Sequence, residues 1–390
     1  MNDDDLITHL IHHPYQPPAG FGAVQPGVHK ASTVIFPNVA ALHARNWKSK
    51  AAYTYGLHGT PTTFTLEQRI ATLEGGTDCA LTSSGLNAIV LVNVALLKAG
   101  DEVLIPDNVY GPSKEMARTV LADWGITHQL YDPMDAAAFA ARINQRTKLI
   151  WLEAPGSVTM EFPDLLGLIA AARSRGVTTA MDNTWGAGLA FDSFKLGCDI
   201  ALQALTKYPS GGADVLMGSV VTRDNEELHL RIAQAHMRLG LGVGANDAEA
   251  VLRSLPTIAL RYHAQDAAAR ALAAFLAAQP QVARVLHPAL PGSPGHEHWK
   301  ATCSAAAGLF SILLDPGLRR EQVDTFCDSL RLFKLGYSWG GTTSLVVPYD
   351  LAAMRGAASP LRGHLVRFSI GLEAVADLQA DLLQALVRMA

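Results

Sequence analysis

The sequence lacks any pair of cysteines close enough to read as a metal or redox motif. Its four, Cys79, Cys198, Cys303 and Cys327, are scattered through 390 residues with no C-x-x-C, so no thiolate zinc site is expected and no metal is assigned. It also lacks a basic run. Lys and Arg number 31 against 35 Asp and Glu, for a net charge of −4, and the positive stripe that a nucleic-acid partner needs is missing. Long apolar runs are missing too. The longest, "AIVLVNVALL", is interrupted by Asn93 and falls short of the ~18 residues of a membrane span. The acidic start "MNDDD" has no basic flank before an apolar stretch, so neither a secretory leader nor disulfides are expected, and the expected location is the cytoplasm. G-x-G-x-x-G is absent, and "GLGVG" at Gly240–Gly244 has the wrong spacing and no strand before it, which disfavours a nicotinamide site.

What is present is an ordinary globular composition, 49% hydrophobic, in a chain long enough for two or three cores. Residues 1–60 carry scattered Pro, Gly and His and one strand-like stretch, "STVIF", and read as an extended arm. From about residue 64 the pattern becomes regular. "TLEQRIATLEGG" places Leu66, Ile70 and Leu73 at helical spacing, with Thr65 and Gln68 as a capping box and Gly75-Gly76 as its end. Strand-like "CALTSS", "EVLIPD", "THQLYD", "KLIWLEAP", "TTAMDNT", "ALQALT" and "VLMGSVVT" then follow, with helical segments such as "PDLLGLIAAARSRG" between several of them. This alternation predicts an α/β fold with a mostly parallel sheet covered on both faces. A long helical stretch near 246–275 precedes a smaller α+β unit containing "AGLFSILL", "LVRFSIGLE" and a terminal helix. The expected organisation is an arm over 1–60, a large domain over 61–255 and a C-terminal α+β domain over 256–390.

Ligands of open α/β sheets bind beyond the carboxyl ends of the strands. Three features there carry chemistry. Ser84-Gly85-Leu86 is a small-residue turn feeding a helix, which suits a phosphate. Asp182 stands where the apolar strand "TTAM" stops and could pair with a protonated ring nitrogen; it could equally cap a turn. Lys207 closes the next strand, 25 residues on, where burial disfavours an ammonium and favours the neutral amine of Schiff-base chemistry; a snorkelling surface lysine is the plainer reading. Taken singly, each has its ordinary explanation. In this order, a phosphate turn, a strand-end carboxylate and a strand-end lysine form the layout that pyridoxal 5′-phosphate (PLP) requires.

At these residues the chain resembles the Cys/Met-metabolism PLP enzymes, whose fold is of the aspartate-aminotransferase type (fold type I), and most of all their bacterial cystathionine β-lyase branch. The resemblance runs over nearly the whole chain and is carried by "LEAPGSVTMEFPD", "MDNTWGAGL", "ALTKY", "VARVLHPALPGSPGHEHWK" and "YSWGG". It implies that Lys207 bonds the cofactor's aldehyde and Asp182 pairs with its ring nitrogen. Tyr110 would stack on the ring and, as a catalytic residue with Lys207, assist proton movement at the substrate amine, and Gly85, Leu86 and Thr206 would bind the phosphate. Arg367 would hold the substrate carboxylate, with Ser338 and Trp339 lining the pocket. It further implies an amino-acid thioether substrate, cleavage of cystathionine at the β carbon, and a homotetramer of dimers in which a neighbouring subunit completes each site. Tyr55 matches a family tyrosine that reaches a neighbour's phosphate. Leu57 and His58 stand where that family and branch carry arginines, and Glu115 keeps an acid of the β-lyase branch. These departures leave cystine and cysteine S-conjugates as alternative substrates; reaction at the γ carbon, and a silent homologue with a structural role, are separate alternatives.

Overall fold

The computed structural model describes residues 5–15, 17–351, 361 and 363–389. Seven strands form the larger sheet: β1 (Asp78–Thr82), β2 (Glu102–Pro106), β3 (Thr127–Tyr131), β4 (Thr147–Glu153), β5 (Thr178–Asp182), β6 (Ile200–Ala204) and β7 (Gly218–Thr222). Their order is β1-β7-β6-β5-β4-β2-β3, and only β7 runs against its neighbours. Apolar residues fill the inner strands because both faces are covered: Leu149 to Leu152 of β4 are all buried. One core, with Ile89, Val92, Val103 and Trp151, lies on one side of this sheet, and a larger one, with Ile70, Ile150, Phe162 and Met181, lies on the other.

Five further strands make a second sheet: β8 (Val282–Leu286), β9 (Leu309–Leu314), β10 (Lys334–Leu335), β11 (Leu345–Asp350) and β12 (His364–Ser369), in the order β10-β11-β12-β9-β8. Its own core joins Phe310, Phe326, Phe333 and Phe368 with the terminal helix Val375–Met389. On the face toward the large sheet, Ser311 Oγ donates to the carbonyl of Val158 at 2.6 Å, a stitch between the loop after β4 and β9.

Two local expectations shift. The helix expected from residue 65 begins four residues earlier, at Pro61, because Thr60 and Thr63 cap each other and proline suits the first helical position. Its end is as expected, with Gly75 left-handed at φ 76°. "STVIF" forms no strand: it has no partner strand, and Ile35 is 90% exposed. A crossing point explains the glycine of the following loop. Gly56 donates to Ser32 O, and a Cβ there would strike the Ala31 carbonyl. Among the described residues no helix is long and apolar enough to cross a membrane, and no cluster of His, Cys, Asp and Glu could hold a metal.

Candidate active site

The carboxyl ends of the parallel strands converge on one place. Asp182 is the last residue of β5, Glu153 the last of β4, and Lys207 follows β6 by three residues. Thr184 organises this edge. Its N–H and its hydroxyl both donate to Asp182 Oδ1, at 3.0 and 2.6 Å, while the same hydroxyl accepts from Ala204 N at 2.9 Å. Both bonds fall on Oδ1, which leaves Oδ2 free to meet a donor. Burial pushes the Asp182 carboxyl up, against the pull of Thr184 and Lys207.

Lys207 Nζ donates to Ser338 Oγ at 2.8 Å and stands 5.7 Å from the centre of the Trp339 ring. Its amine is lowered to about 8, first by burial and then by repulsion from Arg367, with Asp182 opposing. Ser338 also receives Arg367 on its carbonyl, at 3.4 Å from Nη2, so one residue links the lysine and the guanidinium. To do so Ser338 adopts φ +91°, a region that costs a non-glycine residue about 1–3 kcal/mol. Gly340 follows at φ +75°; a Cβ there would lie 2.9 Å from Tyr208 N and 3.0 Å from Lys207 C, so the "SWGG" segment presses backbone to backbone on the lysine. Arg367 has a buried Nε without a partner, and no carboxylate pairs with it among the described residues. A half-buried cation in this state suits an anion.

The helix Gly85–Leu96 starts beside β6. Ser84 Oγ accepts from Asn87 N at 3.1 Å and Ser84 O accepts from Ala88 N, while the N–H groups of Gly85 and Leu86 meet no acceptor among the described residues. A Cβ on Gly85 would fall 2.6 Å from Ala204 Cβ, so only glycine lets this helix end lie against the strand that leads to Lys207. Thr206 Oγ1 accepts from Met217 N at 3.1 Å and donates weakly to Met217 O at 3.3 Å. Tyr110 caps the helix Gly111–Met116, its ring 42% exposed and its N–H bound to Glu153 Oε2 at 2.9 Å. Burial raises its phenol, and the nearby carboxylates of Asp182 and Glu153 raise it further.

Comparison with known proteins decides what this constellation belongs to. The model of the Cys/Met metabolism PLP-dependent enzymes matches residues 7–387. The chain belongs to that family. It is 40% identical to a putative cystathionine beta-lyase of Rhizobium johnstonii, over 96% of this chain and 93% of that one. It is 36% identical to the cystathionine beta-lyase MetC of Escherichia coli, over 98% of each. Among solved structures, metB of Corynebacterium glutamicum superposes with a TM-score of 0.91 at 30% identity, covering 100% of this chain and 99% of that one.

PLP is accordingly the cofactor of this Cys/Met-metabolism enzyme, and the residues present fit it. The two free N–H groups of Gly85 and Leu86 suit a phosphate, Asp182 Oδ2 suits a ring N–H, and the lowered Lys207 amine suits an aldehyde. Lys207, Ser338, Trp339 and Arg367 are thus brought together, with Asp182 and Tyr110 coupled to them electrostatically. Tyr55, His58 and Glu115 are not joined to that cluster within one chain. Tyr55 is 46% exposed on the arm-side loop, and His58 Nδ1 lies 2.7 Å from Thr54 Oγ1 beside Trp47. Glu115 is spent on Arg118 at 2.7 Å at the surface. Thr184 and Glu153 were missed by sequence reasoning. The only signal for either was its place: Thr184 two residues after Asp182, Glu153 at the end of the neighbouring strand.

Proposed function

We propose that this chain is a carbon–sulfur β-lyase that cleaves L-cystathionine to homocysteine, pyruvate and ammonia. The observation that carries the reading is the Lys207–Ser338–Arg367 chain, in which a proton acceptor and an unpaired carboxylate binder are held by one residue. Bound PLP supplies an electron sink that makes the Cα proton of an attached amino acid acidic. Lys207, Asp182, Gly85, Leu86 and Thr206 would hold that group, with Tyr110 over its ring. Arg367 binds the substrate carboxylate and fixes Cα near Lys207. The Lys207 amine, neutral above about pH 8, takes the Cα proton. The protonated amine then returns the proton to the departing sulfur as the Cβ–S bond breaks. Ser338 Oγ keeps the amine aimed through both transfers, and Trp339 excludes water beside it. The three-carbon enamine left behind hydrolyses to pyruvate and ammonia. Curated relatives named cystathionine beta-lyase support the same reaction.

A second reading, cystine and cysteine S-conjugates, is favoured by one observation. At the position of a branch arginine, His58 is pushed below the ordinary imidazole value by burial and by His236, so it offers no fixed cation at neutral pH. Rates and products on cystathionine, cystine and an S-alkylcysteine test both. Pyruvate from cystathionine at the highest kcat/KM supports the first reading; 2-oxobutyrate sinks both; a preference for cystine supports the second. The roles above, the division at 60/61 and 255/256, a cytoplasmic location and a homotetramer of dimers belong to the same proposal. Exposed Phe21, Val24, Ile35 and Val39 on the arm support its packing on a neighbouring subunit.

A further inference from the structure

The orphaned guanidinium of Arg367 raises the question of what aims it. Its hydrogen bond to Ser338 O is long, 3.4 Å, and its Nε has no partner. The register of the small sheet supplies the answer. Arg367 on β12 pairs with Val347 on β11, and Tyr349 pairs with Leu365. Tyr349 is therefore the diagonal neighbour of Arg367 on the same face, a spacing that aromatic and long side chains bridge. The guanidinium carbon lies 5.4 Å from the centre of the Tyr349 ring. The ring is itself half-buried against the larger core. An aromatic face stabilises a cation without consuming its N–H donors, unlike a carboxylate partner, which would occupy the fork and repel an incoming anion.

We propose that Tyr349 is a positioning residue that holds Arg367 open for a carboxylate, and so sets the affinity of the site for amino-acid substrates. The inference rests on Arg367 being the carboxylate binder. The ring face, not the hydroxyl, does the holding. Tyr349→Phe therefore keeps KM within about twofold. Tyr349→Leu, or Tyr349→Met if the leucine variant does not fold, raises KM about tenfold while kcat stays within about twofold, the range expected of a partly desolvated cation–π contact. Circular dichroism and melting of each variant separate this from misfolding.

Steady-state kinetics on cystathionine, with Arg367→Lys as reference, tests the idea. The expected pattern is a raised KM in Arg367→Lys and in the aliphatic variants, and recovery in phenylalanine. A raised KM in Arg367→Lys with unchanged KM in the aliphatic variants overturns the role of Tyr349 alone. Equal losses in the phenylalanine and aliphatic variants overturn it too, because the hydroxyl is then what matters. Unchanged KM in Arg367→Lys overturns the carboxylate reading and this inference with it.

Discussion

At the scale of the residue, burial sets the chemistry. Lys207 sits near 8 because the site withholds water and Arg367 repels a second positive charge. Formation of the lysine–aldehyde bond when PLP is added to the cofactor-free protein, read by absorbance, should therefore rise with pH and level off above about 8. Arg367→Ala removes one of the two lowering causes and should move that rise to higher pH, as the same profile of the cofactor-free variant will read. Glu74 shows the opposite sign of the same effect. Buried beneath β5 and β6, it accepts from Asn183 Nδ2 at 2.8 Å and from Gln203 Nε2, and burial lifts it from 4.5 to about 7. A carboxyl with a raised folded-state value binds its proton more tightly when folded. Stability should thus be full below about pH 4.5 and fall as pH rises to about 7. The loss is about 3 kcal/mol. Glu74→Gln should flatten melting temperature against pH across that window. The amide oxygens of Asn183 and Gln203 lack partners, so a flip of either can meet the new donor.

At the scale of the element, close approach matters more than propensity. Gly85→Ala would drive a methyl into Ala204 and push the helix start off β6. We expect about 1–3 kcal/mol of overpacking and weaker cofactor binding, measured by fluorescence titration of the cofactor-free protein. Ala204→Gly should restore affinity in the double variant, and failure of that rescue would mean that the contact is not the cause. Asp182 and Lys207 were legible because apolar runs announce where strands stop, although Lys207 stands three residues past the end of β6, and "SSGL" because a small-residue turn feeds a helix there; "SWGG" was legible only through the family resemblance. Other features were not. The pairing of Tyr349 with Arg367 depends on the register between β11 and β12, which no local pattern encodes. "STVIF" has strand composition but no neighbour to pair with, and propensity without a partner makes no sheet.

At the scale of the molecule, the two sheets meet where the chemistry sits, with Lys207 supplied by one and Arg367 by the other. Alternating strands and helices made the large sheet readable, and a change of rhythm near 276 made the small one so. The arm is different. Phe21, Val24, Ile35 and Val39 are 65%, 86%, 90% and 65% exposed, four large apolar side chains left in water along one stretch of chain. Changing Phe21, Val24, Ile35 and Val39 together to Ser should lower the molar mass seen by light scattering and weaken cofactor retention in dialysis. Unchanged mass and retention would argue that the arm serves neither.

Ser338 carries a consequence for selection. Glycine at that position would relax the backbone at φ +91° and should make the fold more heat-resistant, yet it would take away the hydroxyl that aims Lys207. A population screened only for survival of heating should drift toward Ser338→Gly, and one whose growth depends on turnover of the substrate should refuse it. The position would then record which pressure the lineage had felt.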